Sequence, residues 1–306
     1  MASTGTVLRR ALLYVPGSSQ RMLDKSRNLV ADCVAYDLED SVSQTRKAEA
    51  RTLIRNAIDQ PKPSGIKERA VRINSVSSGL ALADLTEMVI ESASDLHFIS
   101  DVISHTRSNL KPTESNPDPS KNPPISVIAL IESAKSILNL PQICTAATHQ
   151  LSGLVFAAAD FSKDLSITQT PSLTEFLYAR SAIVTAACAH KLSSIIDLVC
   201  TDFKTPAVLE DEVLNGKRMG FNGKQCIHPS QVELVQQLFS PELKEVEWAV
   251  RVIVADTKAA EDGRGAWTLD GMMIDVPVVE RSRDIVKKAE LCGLDVAALK
   301  KKFASL

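Results

Sequence analysis

Short, almost wholly apolar runs recur along this chain between longer stretches in which apolar residues return every three or four positions. The runs are ALLYVP (11–16), CVAYDLE (33–39), AVRIN (70–74), SVIALIE (126–132), LSGLVFAAAD (151–160), SSIIDLV (193–199) and GKQCIHP (223–229). Each is too short for a helix and too apolar for a strand with one wet face, the pattern of a parallel strand covered on both sides. SSQRMLDKSRNLV, TRKAEARTLIRNAID, LTEFLYARSAIVTAACAHK and PSQVELVQQLF lie between them and carry the helical period. Such alternation predicts a parallel sheet, and seven strands predict a TIM-type (β/α)8 barrel one strand short of its full count. A doubly wound open sheet is the alternative, but no G-x-G-x-x-G or P-loop supports a nucleotide-binding version of it.

The segment 111–124, rich in Pro, Ser and Asn, cannot bury a core and reads as an exposed loop. From about residue 241 the strand–helix alternation stops. The chain is therefore divided into a barrel domain over 1–240 and a helical C-terminal extension over 241–306, which ends in AELCGLDVAALKKKFA. Within the extension, GAWTLDGMMIDVPVV (265–279) holds turn residues that argue against a continuous helix.

Composition narrows the partners. With 306 residues, 44% hydrophobic and 24% charged, the chain has ample apolar surface for a core. A net charge of −2 gives no reason to expect nucleic acid, and no apolar run approaches the roughly 20 residues that span a bilayer. The six cysteines are scattered without a CxxC pair, which fits reduced core residues in a reducing compartment. MASTGTVLRR leaves only a few residues before the first strand, and Arg9 and Arg10 lack an amphipathic segment. The expectation is a cytoplasmic protein, with a mitochondrial one as the alternative; the final Ala-Ser-Leu is only a weak echo of a peroxisomal signal.

Candidate chemistry gathers at strand ends. Glu132 and Asp160 each stand where an apolar run gives out, and carboxylates at the C-terminal ends of parallel strands are where such folds place their sites. Two converging there, with room for water and a substrate oxygen, suit Mg²⁺; the plainer reading makes each a helix cap or salt-bridge partner. YDLEDSV brings Asp37, Glu39 and Asp40 to the end of the second strand, either to orient water around a bound ion or to cap the next helix. Arg72, inside AVRIN, needs a carboxylate partner: a substrate's, or one of these acids. Arg21 and Lys25 share one helix face and could hold phosphates or merely be solvated. His228 reads as structural rather than as a base, and no hydrolase motif is present.

Taken together, YVPGS, YDLEDSV, VRIN, IES, AADF, IDLVCTDF and GFNGKQCIHPSQV resemble, in order, the citrate lyase β-subunit-like (HpcH/HpaI-type) enzymes. VRINSVSSGLA, GKQCIHPSQ and MIDVPVV resemble the citramalyl-CoA lyase branch of that family. The resemblance implies a Mg²⁺-dependent TIM barrel, usually a homotrimer, that makes or breaks carbon–carbon bonds in acyl-CoA thioesters. It implies metal ligation by Glu132 and Asp160, and a 2-oxo acid carboxylate held by Arg72. Tyr14, Arg21, Lys25, Ile227 and His228 would lie near CoA or substrate. Asp275 would be a catalytic carboxylate delivered by the extension of a neighbouring subunit. The expected reaction is cleavage of citramalyl-CoA to acetyl-CoA and pyruvate. Malyl-CoA lyase or malate synthase-type activity with glyoxylate is one alternative, and a non-catalytic or poorly folded CoA-binding relative is another. Two departures stand out: relatives carry a fourth strand ending Pro-Lys-Val-Glu-Ser where DLTEMV here runs straight into IESASD, and the acid that often precedes the metal-binding aspartate is Ala159.

Overall fold

The computed structural model describes residues 7–84, 88–89, 93–109, 118, 124–146, 150–261 and 266–304. Eight parallel strands form one sheet: β1 (Ala11–Pro16), β2 (Ala31–Asp37), β3 (Ile66–Arg72), β4 (Met88–Val89), β5 (Val127–Ile131), β6 (Leu151–Phe156), β7 (Ser194–Asp197) and β8 (Gly223–Cys226). They lie in the order β3-β2-β1-β8-β7-β6-β5-β4, which is the cyclic order of a (β/α)8 barrel opened between its third and fourth strands. The helices between them are α1 (Gln20–Ser26), α2 (Lys47–Asp59), α3 (Ala81–Asp84), α4 (Ala93–Ser108), α5 (Ala134–Leu138), α6 (Leu140–Ala146), α7 (Ala158–Leu165), α8 (Leu177–Ala189), α9 (Pro206–Met219) and α10 (Pro229–Phe239).

The expectation that the fourth strand is missing is corrected: a short strand stands in its place. Two residues hold its place, pairing Met88 with Ala129 and Val89 with Leu130, and among the described residues no ladder joins β4 to β3. Within GLALADLTEMV, Ala81–Asp84 form one short helix and Met88–Val89 the strand.

The period of two along each strand builds the interior. Leu12, Cys33, Ala35, Ile128, Leu130, Val155 and Ile196 form one buried cluster, with Tyr14 and Ala70 packed against it. Alternate residues of β1, β2 and β5 thus face one another, and the next inward position of β1 is a tyrosine at the C-terminal end. At the opposite end Arg9, 3% exposed, grips Glu68 through Nε (2.5 Å) and Nη2 (2.7 Å). Its Nη1 donates to the hydroxyls of Ser152 and Ser194, tying β3, β6 and β7 to the segment before β1. Arg10 forks onto Asp32 in the same region. Both arginines belong to the fold.

Chain contacts divide the protein into two compact units, residues 1–236 and 237–306, slightly before the expected boundary at 240. The second unit contains α11 (Leu243–Glu261), a hairpin of β9 (Trp267–Leu269) and β10 (Met272–Ile274), α12 (Val276–Leu291) and α13 (Val296–Ala304). Val246, Ala249, Val250, Val286, Ala289 and Val296 form its core. The hairpin turns on Asp270 (φ 53°) and Gly271 (φ 78°), the left-handed pair that a two-residue turn between twisted strands requires. No described helix is long and apolar enough to cross a membrane. All six cysteines are free, with Cys33, Cys144, Cys200 and Cys226 buried.

Candidate active site

Two cavities open at the C-terminal ends of the strands of the first unit. One, of about 380 Å³, is walled by Tyr14, Asp37, Asp40, Arg72, Asp160, Gln225 and Ile227, among others. The other, of about 300 Å³, is walled by Arg21, Lys25, His228, Met22 and Leu29, and shares Tyr14, Pro16 and Ile227 with the first. Most of the residues expected at a site are therefore brought together. Glu132 is half-buried and directly follows β5, before the Ser133–Ser136 capping box of α5. Among the described residues it is not on the wall of either cavity. Asp275, in the second unit, caps α12 by accepting from the Val278 amide at 3.2 Å.

The position of Asp160 corrects the strand-end expectation. β6 stops at Phe156, and Asp160 is the third residue of α7, whose N-cap Ala157 makes no side-chain cap bond. The run LVFAAAD passes from strand to helix without a turn residue, so periodicity alone misplaced the boundary. Asp160 is exposed at the mouth of the cavity, and Ala157–Asp160 form its wall.

Arg72 stands at the centre of the acidic side. Its Nε and Nη2 donate to the two oxygens of Asp37 at 2.8 and 2.5 Å, and Nη1 lies 3.1 Å from Asp40 and from Glu39. Its guanidinium carbon sits 4.5 Å over the Tyr14 ring, a cation–π contact. Asp37, fully buried, also accepts from the Glu39 and Ser41 amides. Burial pushes its carboxyl up, but the Arg72 hydrogen bonds and charge, with the loop amides, bring it below the usual range. In this structure the arginine's fork is held by the protein's own acid.

The remaining acids are less well balanced. Burial raises Glu39 to about 7; Arg72 opposes the rise, while Asp40, Asp37 and Asp160 repel its charge. Desolvation by the cavity wall and the charge of Asp40 likewise push Asp160 upward. Among the described residues no three His, Cys, Asp or Glu side chains are grouped to hold a metal. Mg²⁺, however, uses one or two carboxylates and keeps its waters. Mutually repelling carboxylates around a water-accessible cavity fit a divalent cation, with Asp160 on the wall and Glu132 on the adjoining strand end.

Glu39 yields a stability prediction. Its folded-state value lies above the ordinary 4.5, so the stability it contributes is complete below about 4.5 and is lost as pH rises through about 7. Urea unfolding without divalent cations should show Glu39→Gln overtaking wild type across that window. The relative gain should be up to about 3 kcal/mol, converting the shift at 1.4 kcal/mol per unit. A constant difference from pH 4 to 8 would show that Glu39 titrates normally.

Three site residues escaped the sequence reading. Gln225, 4% exposed, accepts from the Tyr14 hydroxyl at 3.1 Å and donates to the carbonyls of Phe156 and Asp197, joining β1, β6, β7 and β8 beneath the cavity. A polar residue inside the buried run GKQC was its only signal. Gln231 accepts from the amides of Ile227 and His228 and donates to Cys200, fixing the loop after β8. Phe203 stacks on His228 at 4.9 Å, and Ser230 holds its Nδ1 through a hydroxyl at 2.7 Å and an amide at 3.2 Å. These contacts fix the imidazole on the wall of the second cavity.

Comparisons with known proteins identify the family. Residues 10–229 match the family model for HpcH/HpaI aldolase/citrate lyase. A human protein, citramalyl-CoA lyase, mitochondrial, is 34% identical over 301 residues, spanning 92% of this chain and 85% of that one. The citrate lyase subunit beta of Escherichia coli K12 is 33% identical, over 94% of this chain and 96% of its own. Among solved structures, CitE from Mycobacterium tuberculosis, in complex with magnesium, acetoacetate and coenzyme A, superposes with a TM-score of 0.68 at 25% identity, covering 93% of this chain and 99% of that one. The chain belongs to the HpcH/HpaI aldolase/citrate lyase family.

Proposed function

We propose that this protein is a Mg²⁺-dependent carbon–carbon lyase that splits citramalyl-CoA into acetyl-CoA and pyruvate. The observation that carries the reading is the pair of adjoining cavities: one acidic, sized for a cation and a small 2-oxo acid, the other basic and apolar, suited to a phosphorylated thioester. They share Tyr14 and Ile227, so a thioester in the second would meet the acid in the first.

In the cleavage direction the substrate hydroxyl loses its proton, and the bond between the carbinol carbon and the thioester α-carbon breaks. The carbinol carbon becomes the ketone of pyruvate. The bond's electron pair passes to the thioester as an enolate, which takes up a proton to give acetyl-CoA. Held by Glu132 and Asp160, a magnesium ion would supply Lewis-acid stabilisation of the negative charge that develops on the substrate oxygens. Arg21 and Lys25 bind the phosphates, and Arg72, oriented by Asp37 and stacked on Tyr14, presents positive charge to the substrate carboxylate. Asp275 is assigned the proton transfer, from a neighbouring copy in a homotrimer in which 237–306 completes the partner's site. The free cysteines support a reducing compartment, cytoplasmic or mitochondrial.

Incubating the protein with citramalyl-CoA, with and without Mg²⁺, and following pyruvate through lactate dehydrogenase tests the reading. Mg²⁺-dependent pyruvate release is the expected result. A pocket that excludes or accepts one methyl discriminates only about 10–200-fold, so glyoxylate is compared with pyruvate in the condensation direction. A folded protein inactive in both directions would sink the lyase assignment.

A further inference from the structure

Asp37 ends β2 and Glu39 and Asp40 follow in the loop after it, and like charges so close repel one another. Something other than Arg72 holds the loop's backbone. Lys47, the first residue of α2, is only 6% exposed and is not on the wall of either cavity. Its ammonium donates to the Leu38 carbonyl at 2.7 Å, the Glu39 carbonyl at 2.8 Å and Asn74 Oδ1 at 2.7 Å. An ammonium has three protons, and these three acceptors match them.

Asn74 repeats the grip from the other side. Its Nδ2 donates to the same Leu38 carbonyl at 3.1 Å and to Asp84. Asp84, whose side chain is fully buried, also accepts from the Asn74 amide at 3.0 Å and from Arg51 Nε at 2.5 Å. The chain of contacts thus runs from α3 and α2 to two backbone carbonyls of the loop. On the loop's other side, the Glu39 and Ser41 amides reach Asp37, the acid that holds Arg72.

We propose that Lys47 is a positioning residue for the active site. It touches no substrate, and through the Leu38 and Glu39 carbonyls it sets the acidic loop against Arg72 and the cavity. Asn74 is its partner in this role. Insofar as it concerns catalysis, the inference rests on the lyase reading above; insofar as it concerns the loop, it stands alone.

Lys47→Met keeps an unbranched side chain of nearly the same length and removes all three donors. Amide hydrogen exchange of Glu39 and Ser41 should rise at least tenfold in this variant, while amides within β2 exchange as in wild type and the melt stays cooperative. Turnover should fall about tenfold or more at unchanged KM for the thioester, and Asn74→Ala should move both readouts the same way by less. Should Lys47→Met fail to fold, the Asn74→Ala exchange decides. Wild-type exchange at Glu39 and Ser41 in a folded variant would overturn the proposal. So would a rise spread evenly over β2 and β3, which marks a purely structural residue. If wild type lacks lyase activity, the lyase reading fails, and the exchange result still decides the role of Lys47.

Discussion

Replacing Asp160 with alanine should lower turnover by at least about 10³-fold, the scale on which transition-state charge stabilisation is lost. The same change should leave the protein folded and, without divalent cations, somewhat more stable at neutral pH than wild type. The two outcomes follow from one feature. Desolvation by the cavity wall, felt even at its exposed mouth, and the charge of Asp40 raise the Asp160 carboxyl, so its ionised form is disfavoured in the folded protein. The stability it contributes is present at acid pH and lost as pH rises above the ordinary carboxylate range, and the alanine variant escapes that loss. A carboxylate kept at a cost to the fold is a mark of function. The Mg²⁺-induced rise in melting temperature, expected for wild type as a cation that binds only the folded state, should vanish in the variant. An Asp160→Ala protein with near-normal turnover would remove this residue from the cation site.

Much of this arrangement was legible in the sequence because burial on both faces leaves a strong signature. The run ALLYVP coincides with β1, and SVIALIE overshoots β5 by one residue at each end. What failed, failed for local reasons. Asp160 was placed one element early because LVFAAAD holds no turn residue between β6 and α7. β4, at two residues, is too short to carry any period. The hairpin of the second unit was read only as a turn-rich stretch, although Asp270-Gly271 between MMI and WTL is the signal for it. Arg9 and Arg10 were weighed only against a transit peptide, and their structural role was hidden because their partners Glu68 and Asp32 lie in other strands. Lys47 and Gln225 were invisible for the same reason: a buried polar residue declares itself only through partners brought by the fold. Arg72 was the opposite case, since a charge inside AVRIN demands a partner and YDLED was there to offer one.

That pairing makes Arg72 the sharpest test of how structure and function share a residue. Arg72→Leu should cost about 3–5 kcal/mol of stability at neutral pH, the usual price of leaving one member of a buried ion pair alone. Asp37 is fully buried and Arg72's side chain only 12% exposed, so solvent cannot replace the lost partner. The pH dependence should invert. In wild type, Arg72 and the loop amides overcome burial and depress Asp37, so its contribution is present above the ordinary carboxylate value and lost only as pH falls through the depressed one. Without Arg72, burial prevails and raises Asp37, so the variant's deficit should be small near pH 4 and grow toward neutrality. Adding Asp37→Asn removes the orphaned charge, keeps an oxygen for the Glu39 amide, and should restore more than half of the lost stability. Activity is where the two roles separate. If Arg72 meets the substrate carboxylate, the double variant, measured by urea unfolding and by pyruvate release, should be stable and still impaired by about 10²-fold or more. A double variant that recovers both would show that Arg72 serves only to neutralise Asp37, and the carboxylate-binding role would have to pass to another cation of the site.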